Sequence, residues 1–483
     1  MLIPRILAAL SLLTAVAAFA APVDAPEARA VAVAQLARLD ARGHAVAWQD
    51  DVIHDGRVVA RVHGLAPTGY VVVAADSDLP PVVAYSLESS YPRGDEPNPL
   101  RAMLAADLAG RLNAAALLDA EVVARWHAQW DNLREGKAQP VRFEQWPPEG
   151  STPTGGWLLT NWTQNAPYND LCPVDLAHGG ARSVAGCPAV AMAMILDYHG
   201  TLQGTAFDDG DRYWHAYAGN NYWIPDAAAR FGFPTFEILN GYLQTLSAHW
   251  VAGTPLTSTD KAALVFACGT AATQVYSAAG SGTFAVAQAY AAFVRFGFAS
   301  ARLVLDTDPD LYSDLRAQMQ SARPAHLAVV DPSWSMGHNL VVDGYNADDF
   351  YHLNFGWGGP YNGWYHLPQE IPYGLTVVEG LILDIAPTVS AVANPTPGTL
   401  SIASHPNPFN PLTVIRFTAP VDARARLTVY DLAGRRLAVL LDDDVTAGTH
   451  AVPWHARDLA SGVYLARVDM GNLSATARMV LVR

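Results

Sequence analysis

Gly186-Cys187-Pro188-Ala189-Val190-Ala191-Met192-Ala193-Met194-Ile195-Leu196-Asp197-Tyr198-His199 reads as a helix with apolar side chains on every face. Such a helix has to be buried. Pro188 fits its first turn, where the missing N–H has no intrahelical partner anyway. Cys187 therefore stands at the N-terminus of a buried helix. Unpaired N–H groups and the helix dipole favour a thiolate there. A packed structural cysteine shares this environment, so a nucleophile also needs a base.

A base is offered by Gly337-His338-Asn339-Leu340-Val341-Val342-Asp343-Gly344-Tyr345-Asn346-Ala347-Asp348-Asp349-Phe350-Tyr351-His352-Leu353-Asn354-Phe355-Gly356-Trp357-Gly358-Gly359. Two strand-like runs flank a turn-rich centre, which predicts a hairpin. Symmetry about Asn346 sets His338 opposite Asn354, within about 5 Å. The Asn354 amide then fixes the imidazole tautomer while the other ring nitrogen faces a thiol. Trp357 follows on the same flank and shields the pair from water. His199, His326 and His352 lack such a context and read as structural. Asp343 reads as a turn former.

Outward from these segments, 483 residues exceed one compact core, so several domains are expected. Hydrophobic residues at 51% and charged residues at 16% belong to a folded chain. A net charge of −15 argues against nucleic acid or an anionic membrane as partner. From Ser401 onward nine Arg face seven Asp, so the acidity lies in the first 400 residues. Met1–Ala20 has the weakly basic lead, apolar run and small-residue exit of an export signal. Cys172, Cys187 and Cys268 are too few for a disulfide framework. Cys172, His178 and Cys187 lack zinc spacing, so neither metal nor cofactor is implied.

Ala28–Asp40 reads as a helix. Ala45–Trp48, Val58–Val62, Tyr70–Ala75 and Val82–Tyr85 read as strands, and Leu100–Glu135 as helical. Gln145–Gly156 is rich in Pro, Gly and Thr, the composition of an exposed, cleavable linker. Val389–Thr399 is a second linker. Beyond it, Thr413–Phe417, Arg426–Tyr430, Arg436–Leu440, Gly448–Trp454, Gly462–Val468 and Ala475–Leu481 recur at the spacing of a β-sandwich. Asp442-Asp443-Asp444 reads as a solvated turn.

The cysteine helix, the histidine segment Gly337–Gly344 and the Tyr351–Gly359 segment resemble, in order, those of streptopain-type peptidases (family C10), a branch of the papain-like fold. Leu158–Asn169 resembles the start of that family's mature domain, and Gly280-Ser281-Gly282-Thr283 a stretch of its substrate cleft. Phe355, Pro188 and Met336 depart from the usual pattern without removing a reacting group. The resemblance implies a thiol protease with Cys187 as nucleophile, His338 as base, Asn354 as orienter and Gln164 as oxyanion donor. Gly69–Ser86 resembles that family's pro-domain. Ser404–Pro411, Val429–Arg436 and the closing strand resemble the Ig-like sorting domain of type IX secretion. The expected fold class is multidomain: signal peptide 1–20, α+β inhibitory pro-domain 21–145, papain-like α+β peptidase domain 155–386 and all-β Ig-like sandwich 400–483. The implied partners are protein or peptide substrates, the chain's own pro-domain and the export machinery, with the cell surface or medium as destination. A thiol acyltransferase, or an adhesion protein with an inert papain-like domain, are the alternatives.

Overall fold

The computed structural model describes residues 22–93, 99–136, 144–330, 337–368, 378–387, 400–405, 409, 411–431, 434–446, 448–457, 459–460, 462–471 and 473–481. The signal segment, Met336 and the 389–399 linker lie outside the described residues.

The N-terminal unit comprises α1 (Ala25–Arg38), β1 (Ala45–His54), β2 (Arg57–Ala66), β3 (Tyr70–Ala74), β4 (Val82–Ser86), α2 (Pro99–Ala114) and α3 (Ala120–Arg134). Asp24 caps α1 by accepting from the Glu27 N–H, and Asp119 caps α3 in the same way. The central unit begins with β5 (Gln145–Trp146), β6 (Val174–Asp175), β7 (Ala181–Arg182) and α4 (Cys187–His199). It continues through β8 (Tyr213–Tyr217), β9 (Asn220–Ile224), α5 (Ala228–Phe231), α6 (Phe236–Ala252), α7 (Ser258–Ala271), α8 (Val286–Arg295), β10 (Arg302–Leu305) and α9 (Leu311–Gln320). β11 (Ala325–Val330), β12 (Gly337–Asn346), β13 (Phe350–Asn354), β14 (Gly363–His366) and β15 (Val378–Leu383) complete it.

These two units share one sheet, in the order β1-β2-β3-β4-β14-β13-β12-β11-β15-β10, with β5 added to β12. The join is antiparallel, with Trp364 opposite Tyr85 and Tyr365 opposite Ala84. On one face a single apolar core runs from Val31, Val72 and Trp130 to Leu340, Val342 and Phe355. The N-terminal unit therefore does not close a core of its own. The other face carries α4, α6, α7 and α8 over Ala328, Val341 and Ile382.

Polar contacts reinforce the join. The Tyr70 hydroxyl lies 2.7 Å from the Tyr361 carbonyl and 2.9 Å from the Tyr365 hydroxyl. Tyr365 itself donates to the Tyr361 carbonyl at 2.7 Å. Arg38 grips Asp348 with two bonds of 2.6 and 2.7 Å.

The segment 145–156 is not an open linker. β5 pairs with β12, and Pro147, Ser151, Thr154 and Gly156 are buried. Only Pro148-Glu149-Gly150 and Pro153 are exposed, and the Arg457 guanidinium donates to the Glu149 carbonyl. Composition predicted exposure, but the sheet edge and the core claim most of these residues.

The C-terminal unit has two sheets. β16 (Ser401–His405), β17 (Leu412–Ala419) and β20 (Gly448–His455) form one. β18 (Ala423–Asp431), β19 (Arg436–Val445), β21 (Gly462–Met470) and β22 (Leu473–Leu481) form the other. Alternate residues such as Ile415, Phe417, Leu427, Val429, Ala466 and Val468 fill the space between them. Asp442-Asp443-Asp444 lies within β19 rather than in a turn, opposite Arg424 and Arg426 on β18. The Arg424–Asp442 pair, 2.9 Å apart, tolerates this acidic run on an exposed strand.

Removing the Tyr70 hydroxyl leaves the Tyr361 carbonyl with its bond from Tyr365, so the loss is modest. Tyr70→Phe should destabilise the full chain by about 1–2 kcal/mol. Urea unfolding checks this: the midpoint falls and the slope is unchanged.

Candidate active site

The head of α4 is set by Gly186, which caps the helix at φ +85°. A side chain there would meet the Gln274 carboxamide within 2.6–2.8 Å, so glycine is required both by backbone and by space. Gln274 in turn donates to the Ala185 carbonyl at 2.8 Å. The Ala185 N–H donates to the Gln164 carbonyl at 2.9 Å, which brings Gln164 alongside the residues leading to Cys187. The 280–283 stretch folds back on 275–277, and the Ser277 carbonyl accepts from the Val184 N–H. Pro188 occupies the first turn of α4, and residues 188–196 are all buried.

β12 carries the histidine. By strand alternation Val341 faces α4, whereas Leu340 and Val342 enter the opposite core. His338 belongs to that opposite face. Its ring is 4.6 Å from Trp357 and stacks on Phe355 at 6.1 Å, centroid to centroid. Its Nε2 is 2.9 Å from the Phe355 carbonyl. Asn339 lies on the α4 side by the same alternation, and α4 packs against β12. Among the described residues no hydrogen bond joins Cys187 to His338.

Asn354 does not face His338. Its partner across the ladder is Val341, because the turn falls at 347–349, beyond Asn346, and a one-residue shift between Val342 and Gly344 sets the final register. The shift has a cause in Asp343, which is buried inside β12 and is not a turn residue. Its carboxylate binds His352 Nδ1 at 2.6 Å and the Leu158 N–H at 3.0 Å. Asn354 instead accepts from the Gly356 N–H at 3.1 Å and donates to Asn161 Oδ1 at 3.1 Å. Asn362 donates to the same Asn161 oxygen and accepts from the Phe355 N–H, both at 2.9 Å. The amide of residue 354 thus acts on the loop that holds the Phe355 peptide, and it is the Phe355 carbonyl that meets the imidazole.

The electrostatics differ from those of an isolated helix terminus. Burial pushes the Cys187 thiol up to about 11, against the donors at Asn339 and its own N–H. Part of the residue still reaches solvent, but desolvation of the sulfur outweighs the helix terminus. Burial likewise pushes His338 down to about 4, against the Phe355 carbonyl, which pulls it up. Both groups are neutral near pH 7. Cys172 and Cys268 are buried and free, and burial raises both thiols.

Asn339, His326, Asn161, Asn362 and the Asp343–His352 pair were not legible as site residues. His326 Nε2 is 2.7 Å from Asn339 Oδ1, and burial lowers its imidazole to about 4. Only the alternation of a strand already known to pack on the cysteine helix could have pointed to Asn339. Among the described residues no cluster of His, Cys, Asp or Glu could hold a metal ion.

In the full chain, alkylation of Cys187 by iodoacetamide should rise about tenfold per pH unit from pH 7 towards its pKa near 11. Mass spectrometry at Cys187 checks this; a rate already flat between pH 6 and 8 would contradict it.

Residues 162–365 match the peptidase C10 family model, and residues 403–482 match that of the secretion system C-terminal sorting domain. The thiol protease/hemagglutinin PrtT of Porphyromonas gingivalis is 24% identical over 334 residues, 62% of this chain and 32% of PrtT. The chain thus spans about a third of that relative. Streptopain of Streptococcus pyogenes is 24% identical over 331 residues, 65% of this chain and 75% of streptopain. A prointerpain A fragment of Prevotella intermedia aligns over 70% of this chain and 98% of its own, at TM-score 0.46 and 21% identity. The active wild-type interpain A of the same organism covers 48% of this chain and 95% of its own, at TM-score 0.35 and 21% identity. The chain therefore carries a peptidase C10 family domain followed by a secretion system C-terminal sorting domain.

Proposed function

We propose that this protein is an exported cysteine endopeptidase held latent by its N-terminal unit. The observation that carries the reading is the position of Cys187 at the head of buried α4, which packs against β12, the strand that carries His338. In the active form the Cys187 thiol passes its proton to His338, and the resulting thiolate attacks the peptide carbonyl carbon. The tetrahedral oxyanion is held by the Cys187 N–H and the Gln164 amide. His338 then returns the proton to the leaving amine as the C–N bond breaks, and water hydrolyses the thioester. Asn354 contributes through the loop that presents the Phe355 carbonyl, and Trp357 covers the imidazole.

Latency has two supports. Thiol and imidazole are both un-ionised at neutral pH in the full chain. His338 also leans on Trp357, which meets Tyr361 at 5.8 Å, and Tyr361 meets Tyr91 of the N-terminal unit at 4.8 Å. Loss of that unit frees the aromatic stack and admits water, so that the imidazole can turn towards the sulfur and the ion pair can form. Cleavage in the exposed Pro148-Glu149-Gly150 segment is the proposed trigger. The C-terminal unit addresses the chain to type IX export, after removal of a signal peptide ending at Ala20.

The test compares peptide hydrolysis by wild type and Cys187→Ala, each with and without residues 21–150. Activity is expected only in the trimmed wild type, with a loss of roughly 10⁴-fold or more on removing the sulfur. Hydrolysis surviving in trimmed Cys187→Ala would overturn the assignment. Product dominated by aminolysis when an amine acceptor is present would point to acyl transfer instead.

A further inference from the structure

We propose that the C-terminal unit guards the junction between the N-terminal and central units. Arg457 holds the Glu149 carbonyl and withholds the Glu149–Gly150 bond from proteolysis until that unit is gone. The inference rests on the reading of 148–150 as the cleavage segment.

Pro148-Glu149-Gly150 is an exposed turn between buried residues, with Pro147 before it and Ser151 after it. The Ser151 N–H donates to the Pro148 carbonyl at 3.0 Å, and Gly150 sits at φ +65°. The Glu149 carbonyl takes its bond from the Arg457 guanidinium. A side-chain carbon placed on Gly150 would lie 3.8 Å from the same Nη2 atom, so both residues of the bond stand against Arg457.

The sandwich, not the junction, places this arginine. Its Nε donates to His455 Nε2 at 3.1 Å. The Ala456 N–H between them donates to the Pro411 carbonyl at 2.9 Å, and His455 stands opposite Leu412 at the start of β17. Nor is the contact isolated. A cavity of about 520 Å³ is lined by Thr152, Trp157 and Leu158, which follow the turn, and by Leu412 and Val414 of β17. The same part of the sandwich thus reaches along the segment that leads into the central unit.

A protease that cuts Glu149–Gly150 must receive the Glu149 carbonyl in its own oxyanion hole. Arg457 and the protease therefore compete for one oxygen. While the guanidinium is bound, the chain becomes cleavable only when the contact opens. Arg457 is itself exposed, so water competes for the contact and the protection is severalfold rather than complete. The order of processing follows: the C-terminal unit leaves first, and the junction is cut afterwards.

The test uses the full chain carrying Cys187→Ala, so that no self-processing intervenes, and an added glutamyl endopeptidase. Mass spectrometry reads the cut after Glu149, with the exposed Glu88 in the loop after β4 as internal control. Arg457→Ala should speed the Glu149 cut about fivefold or more, since a hydrogen bond from a charged donor is lost. Arg457→Glu, which cannot donate, should speed it at least as much. Arg424→Ala, in the same unit but paired with Asp442, should stay within about twofold of the parent chain. Circular dichroism confirms folding. A Glu149 cut in Arg457→Ala within twofold of the parent, or a rise shared equally by Glu88 or by Arg424→Ala, would overturn the proposal. Unchanged cutting alongside active trimmed wild type defeats this inference alone. A faster Glu149 cut that yields no peptide hydrolysis when Cys187 is retained defeats the trigger reading alone.

Discussion

The two-residue period of β12 is the constraint on which the site depends. Successive side chains of a strand point to opposite faces, so one strand serves two cores. Asn339 and Val341 lie on the face of α4, while His338, Leu340 and Val342 lie on the face shared with the N-terminal unit. The proposed nucleophile and base are thereby assigned to different environments in the full chain. The sulfur belongs to the helical layer, and the imidazole to an aromatic layer of Phe355, Trp357 and Tyr361 that continues into Tyr91 and Tyr70.

That division gives the proposed latency a physical meaning beyond a blocked cleft. A thiol near 11 beside an imidazole near 4 has little tendency to transfer a proton at neutral pH. The N-terminal unit shares a sheet and an apolar core with the strands carrying His338 and Asn354. Detaching it breaks the β4–β14 join and exposes apolar surface. Cutting the 148–150 segment alone leaves that join, the Arg38–Asp348 pair and the tyrosine cluster in place.

The loop from Asn354 to Asn362 shows how a site is held in a costly conformation. Gly356, Gly358, Gly359 and Tyr361 all have positive φ, and Tyr361 adopts it without being glycine. Asn161, Asn354 and Asn362 fix the loop through shared side-chain bonds, and the Phe355 peptide between them has its N–H and its carbonyl both engaged. Its carbonyl meets the His338 ring where an asparagine side chain was expected.

Local pattern was enough for much of this protein. The apolar run after Cys187 can only be a buried helix, and Gly186 and Pro188 mark where it starts. The alternation after Leu412 could only be a sandwich, and α1 to α3 and β1 to β4 fall close to where periodicity put them. What the chain order could not convey was pairing. The hairpin turns at 347–349 rather than at Asn346, and a one-residue bulge at Asp343 completes the register that sets Asn354 opposite Val341 instead of His338. Asp343 turns inward to bind His352 and the Leu158 N–H, partners separated from it by 9 and 185 residues. The shared core of the N-terminal and central units, the burial that neutralises Cys187 and His338, and the His326–Asn339 contact all arise between distant segments. Such contacts are set by how surfaces meet, and no periodicity within one segment records them.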